Sequence, residues 1–184
     1  MKKYLILGAM LLTVIALQAQ TAPISNSPKS SALNSAKAQR EARKEAYASN
    51  ISRIIESRDY IFRPITMQNV VTGNTRDIFA YYLYAAVLND KVVLHLPVEF
   101  TSYVVDTVNL DTFAEEYKSS LIDGNWRVTF AFMNGDEKWF AELFLSTITG
   151  QARLAIASPK GVMRYLGTIE SGNALPKRGK KSNQ

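Results

Sequence analysis

The second half of the chain alternates apolar and polar residues in short segments that are separated by turn sequences. Residues 126–132 and 137–145 each place every second residue, starting from a tryptophan, on one face. Asn134 and Gly135 lie between these segments, and both tolerate the positive φ of a type I′ hairpin turn. Further segments continue the series at residues 113–122, 152–157 and 162–169. Because no helical pattern intervenes, the sequence predicts that successive segments pair as antiparallel strands.

A helical pattern precedes these strands. Residues 32–58 are rich in alanine, and Tyr47, Ile51, Ile54 and Ile55 follow the spacing of one buried stripe. We expect the last three turns of this helix to pack on the sheet. Between the helix and the later strands, the pattern predicts strands at residues 60–67, 78–88 and 91–96, followed by a less regular stretch at 97–112 with brief pairing at 103–105.

The predicted fold class is α+β with mainly antiparallel strands. One N-terminal helix is expected to pack on a curled antiparallel sheet or a barrel-like meander of about eight or nine strands, since a twisted sheet of that size curls or splits. The expected organisation is a signal peptide at 1–19, a flexible linker at 20–31, a single domain at 32–170 and a disordered basic tail at 171–184.

The first residues have the composition of a secretory signal peptide. Lys2 and Lys3 precede an apolar run of 14 residues, which is shorter than the roughly 18–20 that a membrane span needs. We expect cleavage between Ala19 and Gln20, and therefore an exported protein of the periplasm or the extracellular medium with no membrane span in the mature chain.

Cysteine count and charge exclude several classes of site. The chain has no cysteine, so it offers neither a lipoprotein anchor, a disulfide framework nor a thiolate metal site. Its net charge of +6 belongs to the flanks, because residues 60–170 carry nine basic and twelve acidic side chains. Since nucleic-acid binding needs a basic stripe on the fold itself, no nucleic-acid partner is expected.

Several short motifs together resemble the domain of unknown function 4251 (DUF4251) family. They are SRDYIF at 57–62, PITM at 64–67, YLY at 82–84, LP at 96–97, GQARL at 150–154 and YLGTI at 165–169. The resemblance covers residues 33–170. It implies an exported protein of Bacteroidetes-type bacteria and implies no particular activity.

The sequence indicates no catalytic, cofactor or metal site. His95 is the single histidine, and no serine lies in a nucleophile elbow. Acidic pairs occur at Glu115-Glu116, at Asp136-Glu137 and at Asp106 with Asp111, and such pairs beside turns are usually solvated. Calcium binding through Asp106, Asn109 and Asp111 would need more oxygen ligands than this spacing supplies.

Aromatic residues supply the better binding candidates. Both faces of the segment at 78–88 carry rings, which is consistent either with a core and a helix contact or with a pocket. The candidate ligand or interface residues are Arg63, Tyr81, Tyr82, Tyr84, His95, Trp126 and Trp139.

The leading hypothesis is therefore a non-catalytic binding module for a small apolar or amphipathic ligand or for an envelope protein. An enclosed apolar cavity of several hundred Å³ would favour a ligand carrier, and a solid interior would favour a protein-interaction module. The alternatives are a hydrolase that uses two carboxylates on envelope or dietary polymers, and a structural component of the envelope. The sequence leaves the oligomeric state open.

Overall fold

The computed structural model describes residues 28–78, 80–99 and 106–174. The predicted signal peptide, the Ala19–Gln20 cleavage site, the proposed strand at 103–105 and most of the basic tail lie outside these residues. The chain divides into two compact units, and the boundary between them in the sequence lies between Ala38 and Gln39. The described part of the first unit is helical, and the second unit contains the sheet.

The described elements are one long helix, ten strands and a terminal 3-10 turn at Gly172–Ala174. They are α1 (Pro28–Glu56), β1 (Asp59–Asn69), β2 (Thr75–Asp77), β3 (Tyr84–Leu88), β4 (Lys91–Val98), β5 (Asp106–Phe113), β6 (Glu115–Ile122), β7 (Asn125–Asn134), β8 (Glu137–Ser146), β9 (Gln151–Ser158) and β10 (Gly161–Ser171). Within the described ranges, no helix has both the length and the apolar character required to cross a membrane.

All ten strands belong to one antiparallel sheet. Its order is β5-β4-β3-β1-β10-β9-β8-β7-β6, and β2 pairs with β1 beside this path. The path has two ends, so the sheet does not close into a barrel, and it has ten strands where about eight or nine were expected. The predicted α+β class and antiparallel pairing are confirmed, and the curled sheet is the version of the fold that the chain adopts.

The two ends of the sheet meet at a single residue. β5 pairs with β4 at one end and β6 pairs with β7 at the other, yet only Ala114 separates them in the chain. The N–H of Ala114 donates to the carbonyl of Asp90 at 2.7 Å, which fixes this bend. A strand that bends and changes partners is a common way to turn a corner between packed sheets.

The core lies on the concave inner face of the sheet and is completed by α1. Alternate residues of β4 and of β7–β10 point inward, and Phe62, Phe132, Leu143 and Tyr165 are almost fully buried in the core. Ile51, Ile54 and Ile55 of α1 join the same cluster, as their spacing predicts. The polar half of α1, from Leu33 to Ala46, is exposed.

Four local predictions differ from the structure. The helix begins at Pro28, four residues before the predicted start. Of the predicted strand at 78–88, only Tyr84–Leu88 is extended, and the single strand expected at 113–122 is divided by the bend at Ala114. The turn after Asn134 consists of Gly135 and Asp136, and only Gly135 has positive φ, which suits a type II′ turn and not the type I′ turn expected.

Candidate functional site

The outer face of the sheet contains two separate groups of side chains that are suited to binding. The sequence-predicted candidates divide between this face and the core. Trp126 is 6% exposed, and its indole N–H donates to Ser52 Oγ on α1 at 3.2 Å. Trp139 is 2% exposed and donates to Glu137 Oε2 at 3.1 Å. Both tryptophans are therefore core residues that hold α1 and the β7–β8 hairpin in place.

The other five predicted residues come together on the outer face and form a group that we call the tyrosine patch. It consists of Arg63, Tyr81, Tyr82, Tyr84 and His95. Strand register brings Tyr84 opposite His95 and His95 opposite Asn109. The guanidinium carbon of Arg63 lies 5.7 Å from the centre of the Tyr84 ring, so the patch extends from β1 to β5.

A tight turn exposes the two outermost tyrosines. The N–H of Leu83 donates to the carbonyl of Ala80 at 3.0 Å, which closes a β-turn with Tyr81 and Tyr82 at its central positions. Leu83 is buried and anchors the turn, whereas Tyr81 and Tyr82 are 73% and 59% exposed. The sequence alone predicted a strand here because tyrosine and phenylalanine favour strands.

Contacts within the patch hold its polar groups in place. Arg63 donates from Nη1 to the Tyr81 carbonyl at 2.7 Å and from Nε to Glu170 Oε2 at 3.2 Å. The His95 ring contacts the edge of Tyr82, with ring centres 5.9 Å apart, and its Nδ1 is hydrogen-bonded to Asn109. The patch therefore combines exposed rings on a fixed backbone turn, hydroxyl groups and one guanidinium, and tyrosine and arginine are enriched among the residues that dominate binding at protein interfaces.

The second group forms an open groove of about 630 Å³ across β6–β10, which we call the basic groove. The residues that carry its chemistry are Lys118, Arg127, Phe140, Phe144, Arg153 and Arg164. Register aligns Arg127, Phe144 and Arg153 on neighbouring strands. The guanidinium carbons of Arg127 and Arg153 lie 5.8 and 5.4 Å from the centre of the Phe144 ring.

The sequence analysis did not identify the basic groove, although the outward-facing positions of β8 and β9 contain a pattern that indicates it. The positions between the inward residues of β8 and β9 carry phenylalanine, glutamate and arginine. Pairing across the turn near Gly150 brings Phe144 opposite Arg153. A register derived from the predicted hairpin would therefore have placed rings and guanidinium groups side by side.

The interior of the curled sheet offers almost no space at its centre. The cavity lined by Phe62, Leu94, Phe130 and Leu154 has a volume of about 10 Å³. A single water molecule needs about this much space, so the cavity does not hold an organic ligand. The solid packing at this position favours the protein-interaction version of the binding hypothesis over the enclosed carrier.

Several members of the acidic pairs considered from the sequence form ion pairs with lysine. Lys138 Nζ lies 3.4 Å from Glu115 and 2.8 Å from Glu116, and this contact lowers the pKa of the Glu116 carboxyl. A general acid for glycoside hydrolysis needs a raised pKa, which is the opposite direction. Asp111 pairs with Lys91 at 3.7 Å, and it lies on the opposite face of β5 from Asp106. In the described ranges, no group of three or more histidine, aspartate or glutamate side chains is arranged to hold a metal ion.

Comparison with solved structures identifies a protein of the same fold. The crystal structure of a DUF4251 family protein from Bacteroides eggerthii DSM 20697 matches with a TM-score of 0.59 and 13% sequence identity, over 70% of this chain and 89% of that chain. At this identity the likeness shows a shared fold, and it supports the family resemblance of the sequence motifs. The sequence matches no family model and no curated protein.

Proposed function

We propose that this chain, which shares its fold with a DUF4251 family protein, is a non-catalytic binding module that recognises another protein through the tyrosine patch. The observation that carries the proposal is the exposure of Tyr81 and Tyr82 on a turn that Leu83 and Arg63 hold in place. Fixed aromatic rings lose little conformational entropy on binding, and tyrosine and arginine are enriched among residues that contribute most to interface affinity.

The proposed location of this interaction is the cell envelope. The leader at residues 1–19 supports export, and a chain without cysteine is compatible with an oxidising compartment. Mass spectrometry of the protein from its natural cells is expected to show Gln20 as the first residue. Retention of Met1, together with fractionation into the cytosol, would contradict the location while leaving the binding role open.

Site-specific photo-crosslinking in the producing cells tests the binding role. A photoreactive phenylalanine analogue at position 82 is expected to trap a partner of defined mass. The same analogue at position 113, where the natural phenylalanine is 65% exposed on β5 and belongs to neither the tyrosine patch nor the basic groove, serves as the control. A Tyr81→Ser substitution is expected to weaken binding of the trapped partner by roughly thirtyfold, as for an interface residue worth about 2 kcal/mol.

Two results would contradict the proposal. One is equal crosslinking at positions 82 and 113, and the other is a partner whose affinity does not change in Tyr81→Ser. Since Tyr81 is mostly exposed, this substitution is expected to change the free energy of unfolding by no more than about 0.5 kcal/mol, so lost binding would not reflect lost folding.

A further inference from the structure

The basic groove changes from apolar to basic along its strands. At one end, register aligns Ala131, Phe140, Ala157 and Val162, which form an apolar row. At the other end, Arg127, Phe144 and Arg153 form a basic row. Four residues separate the two rows on each strand, which corresponds to about 13 Å.

The groove is deep because small side chains lie between larger ones. Ala131, Ala155 and Ala157 form its floor, whereas Phe140 and Phe144 form part of its wall. A volume of about 630 Å³ is within the usual range for small-molecule sites. The floor therefore accommodates an apolar body without displacing any core residue.

The charges of the groove give a bound molecule one orientation. Arg127 is held by Glu142 at 2.7 Å, but among the described residues no carboxylate pairs with Arg153 or Arg164. These two arginines lie on neighbouring strands at diagonal positions, so their guanidinium groups can approach the same anion. Glu115 and Glu116 border the apolar row, where both pair with Lys138, so this end carries less positive charge than the end that holds Arg153 and Arg164.

We infer that the basic groove is a second site, independent of the tyrosine patch, that binds a small amphiphile with one anionic head group. The head group lies between Arg153 and Arg164. The body, an unbranched apolar chain about 13 Å long, lies over Ala155 and Ala157 and contacts Phe140.

Polymeric ligands fit the groove less well. A peptide backbone would place a polar N–H or C=O group at every residue against the apolar row of Ala131, Phe140, Ala157 and Val162. A polyanion would place charge against the apolar row and beside Glu115. Only a ligand with a single anionic end satisfies both ends of the groove.

Titration of the purified protein with decanoate, followed by NMR of backbone amides and by calorimetry, tests this inference. Decanoate is expected to shift the amide signals of β8, β9 and β10. Acetate lacks the apolar body and decyltrimethylammonium has the opposite charge, so each is expected to bind at least about tenfold more weakly. Tetraglutamate represents an acidic peptide and is expected to bind as weakly as acetate.

Two variants address the two ends of the site separately. The Arg153→Gln, Arg164→Gln double substitution removes the anion contacts, and Ala157→Phe fills the floor while retaining both arginines. Each is expected to weaken decanoate binding by about tenfold or more. Arg43→Gln and Ala46→Phe make the same chemical changes at exposed positions of α1 and are expected to leave the affinity within about twofold.

The inference is overturned if neither groove variant weakens decanoate binding, or if the shifted amides lie outside β6–β10. It is also overturned if decyltrimethylammonium or tetraglutamate binds as tightly as decanoate. Amide spectra of each variant establish folding, and Arg164→Gln alone replaces the double variant if the latter does not fold. The crosslinking at position 82 is independent of every one of these outcomes.

Discussion

Two tyrosines of the core differ in whether their hydroxyl groups have hydrogen-bond partners. The Tyr165 hydroxyl donates to the carbonyl of Pro97 at 2.8 Å and so links β10 to β4. The Tyr60 hydroxyl is equally buried, and among the described residues it makes no hydrogen bond of good geometry, although the Tyr117 hydroxyl lies near enough to raise its pKa. A buried polar group without a partner costs free energy, whereas a satisfied one contributes to stability.

We therefore expect Tyr60→Phe and Tyr165→Phe to have different effects. Removing the unpaired Tyr60 hydroxyl should leave the free energy of unfolding unchanged or raise it slightly. Removing the paired Tyr165 hydroxyl should lower it by about 1–2 kcal/mol, because the Pro97 carbonyl loses its donor. Urea unfolding of both variants measures the difference, and equal destabilisation would contradict it.

Gly167 is required where β10 passes the irregular part of β1. A Cβ at this position would lie 1.9 Å from the carbonyl oxygen of Arg63, a backbone atom that cannot rotate away. Gly167→Ala is expected to lower the free energy of unfolding by about 3 kcal/mol or more. Gly135→Ala is the matched control, since a Cβ there meets no atom within 4 Å and only the positive φ costs about 1–2 kcal/mol. Similar values for the two variants, measured in urea, would show that β1 moves aside.

At the scale of elements, α1 has two halves with different roles. Ile55 in the second half is fully buried, and its carbonyl accepts a hydrogen bond from the Tyr117 hydroxyl at 3.4 Å. Tyr47 packs against Gly150, where a Cβ would lie 2.1 Å from the tyrosine hydroxyl. Leu33 in the first half is 71% exposed. Ile51, Ile54 and Ile55 of the predicted stripe therefore belong to the core, whereas Tyr47, predicted in the same stripe, is 40% exposed and lies outside the core cluster.

This division predicts unequal effects of alanine substitution. Ile55→Ala should lower the free energy of unfolding by about 2–5 kcal/mol, because it leaves a cavity in the core. Leu33→Ala should change it by no more than about 0.5 kcal/mol. Denaturant titration with circular dichroism measures both, and a large effect of Leu33→Ala would mean that the first half of α1 contributes to stability as well.

The strands also show which features the sequence encodes locally. β7–β10 were predictable because strict alternation and short turns specify both the face and the partner of each strand. β5 was missed because only Val108 and Leu110 supply its inward pattern, and both are only partly buried. Residues 80–83 form a turn despite their strand-favouring tyrosines, because Leu83 finds a place in the core.

Most residues of the tyrosine patch could also be predicted from the sequence. Five of the seven candidate residues share the tyrosine patch because register places neighbouring strands side by side. The two tryptophans belong to the inward pattern, and the arginine and glutamate residues on the opposite face of the same strands already indicated which face is solvated. The bend at Ala114 and the curvature of the sheet depend on contacts between distant residues and were not encoded in any one segment.

For the whole molecule, the buried tyrosines make stability depend on alkaline pH. Burial is the main reason why the pKa of Tyr60 and the pKa of Tyr165 are raised in the folded state, and for Tyr60 the nearby Tyr117 adds to this effect. In the unfolded chain, tyrosine ionises with a pKa of about 10. Below pH 10, the folded and unfolded states bind the same number of protons at these two tyrosines, so the two groups do not make the free energy of unfolding depend on pH.

Above pH 10, the unfolded state loses tyrosine protons that the folded state retains. Stability then falls with rising pH, by up to about 1.4 kcal/mol per pH unit for each such tyrosine. The free energy of unfolding, measured in urea between pH 8 and pH 11, is expected to decrease above pH 10. In Tyr60→Phe one of these groups is absent, so the decrease should be shallower by up to about 1.4 kcal/mol per unit. An equal slope in the natural protein and in Tyr60→Phe would mean that solvent reaches the Tyr60 hydroxyl, and the core would then open more readily than its packing implies.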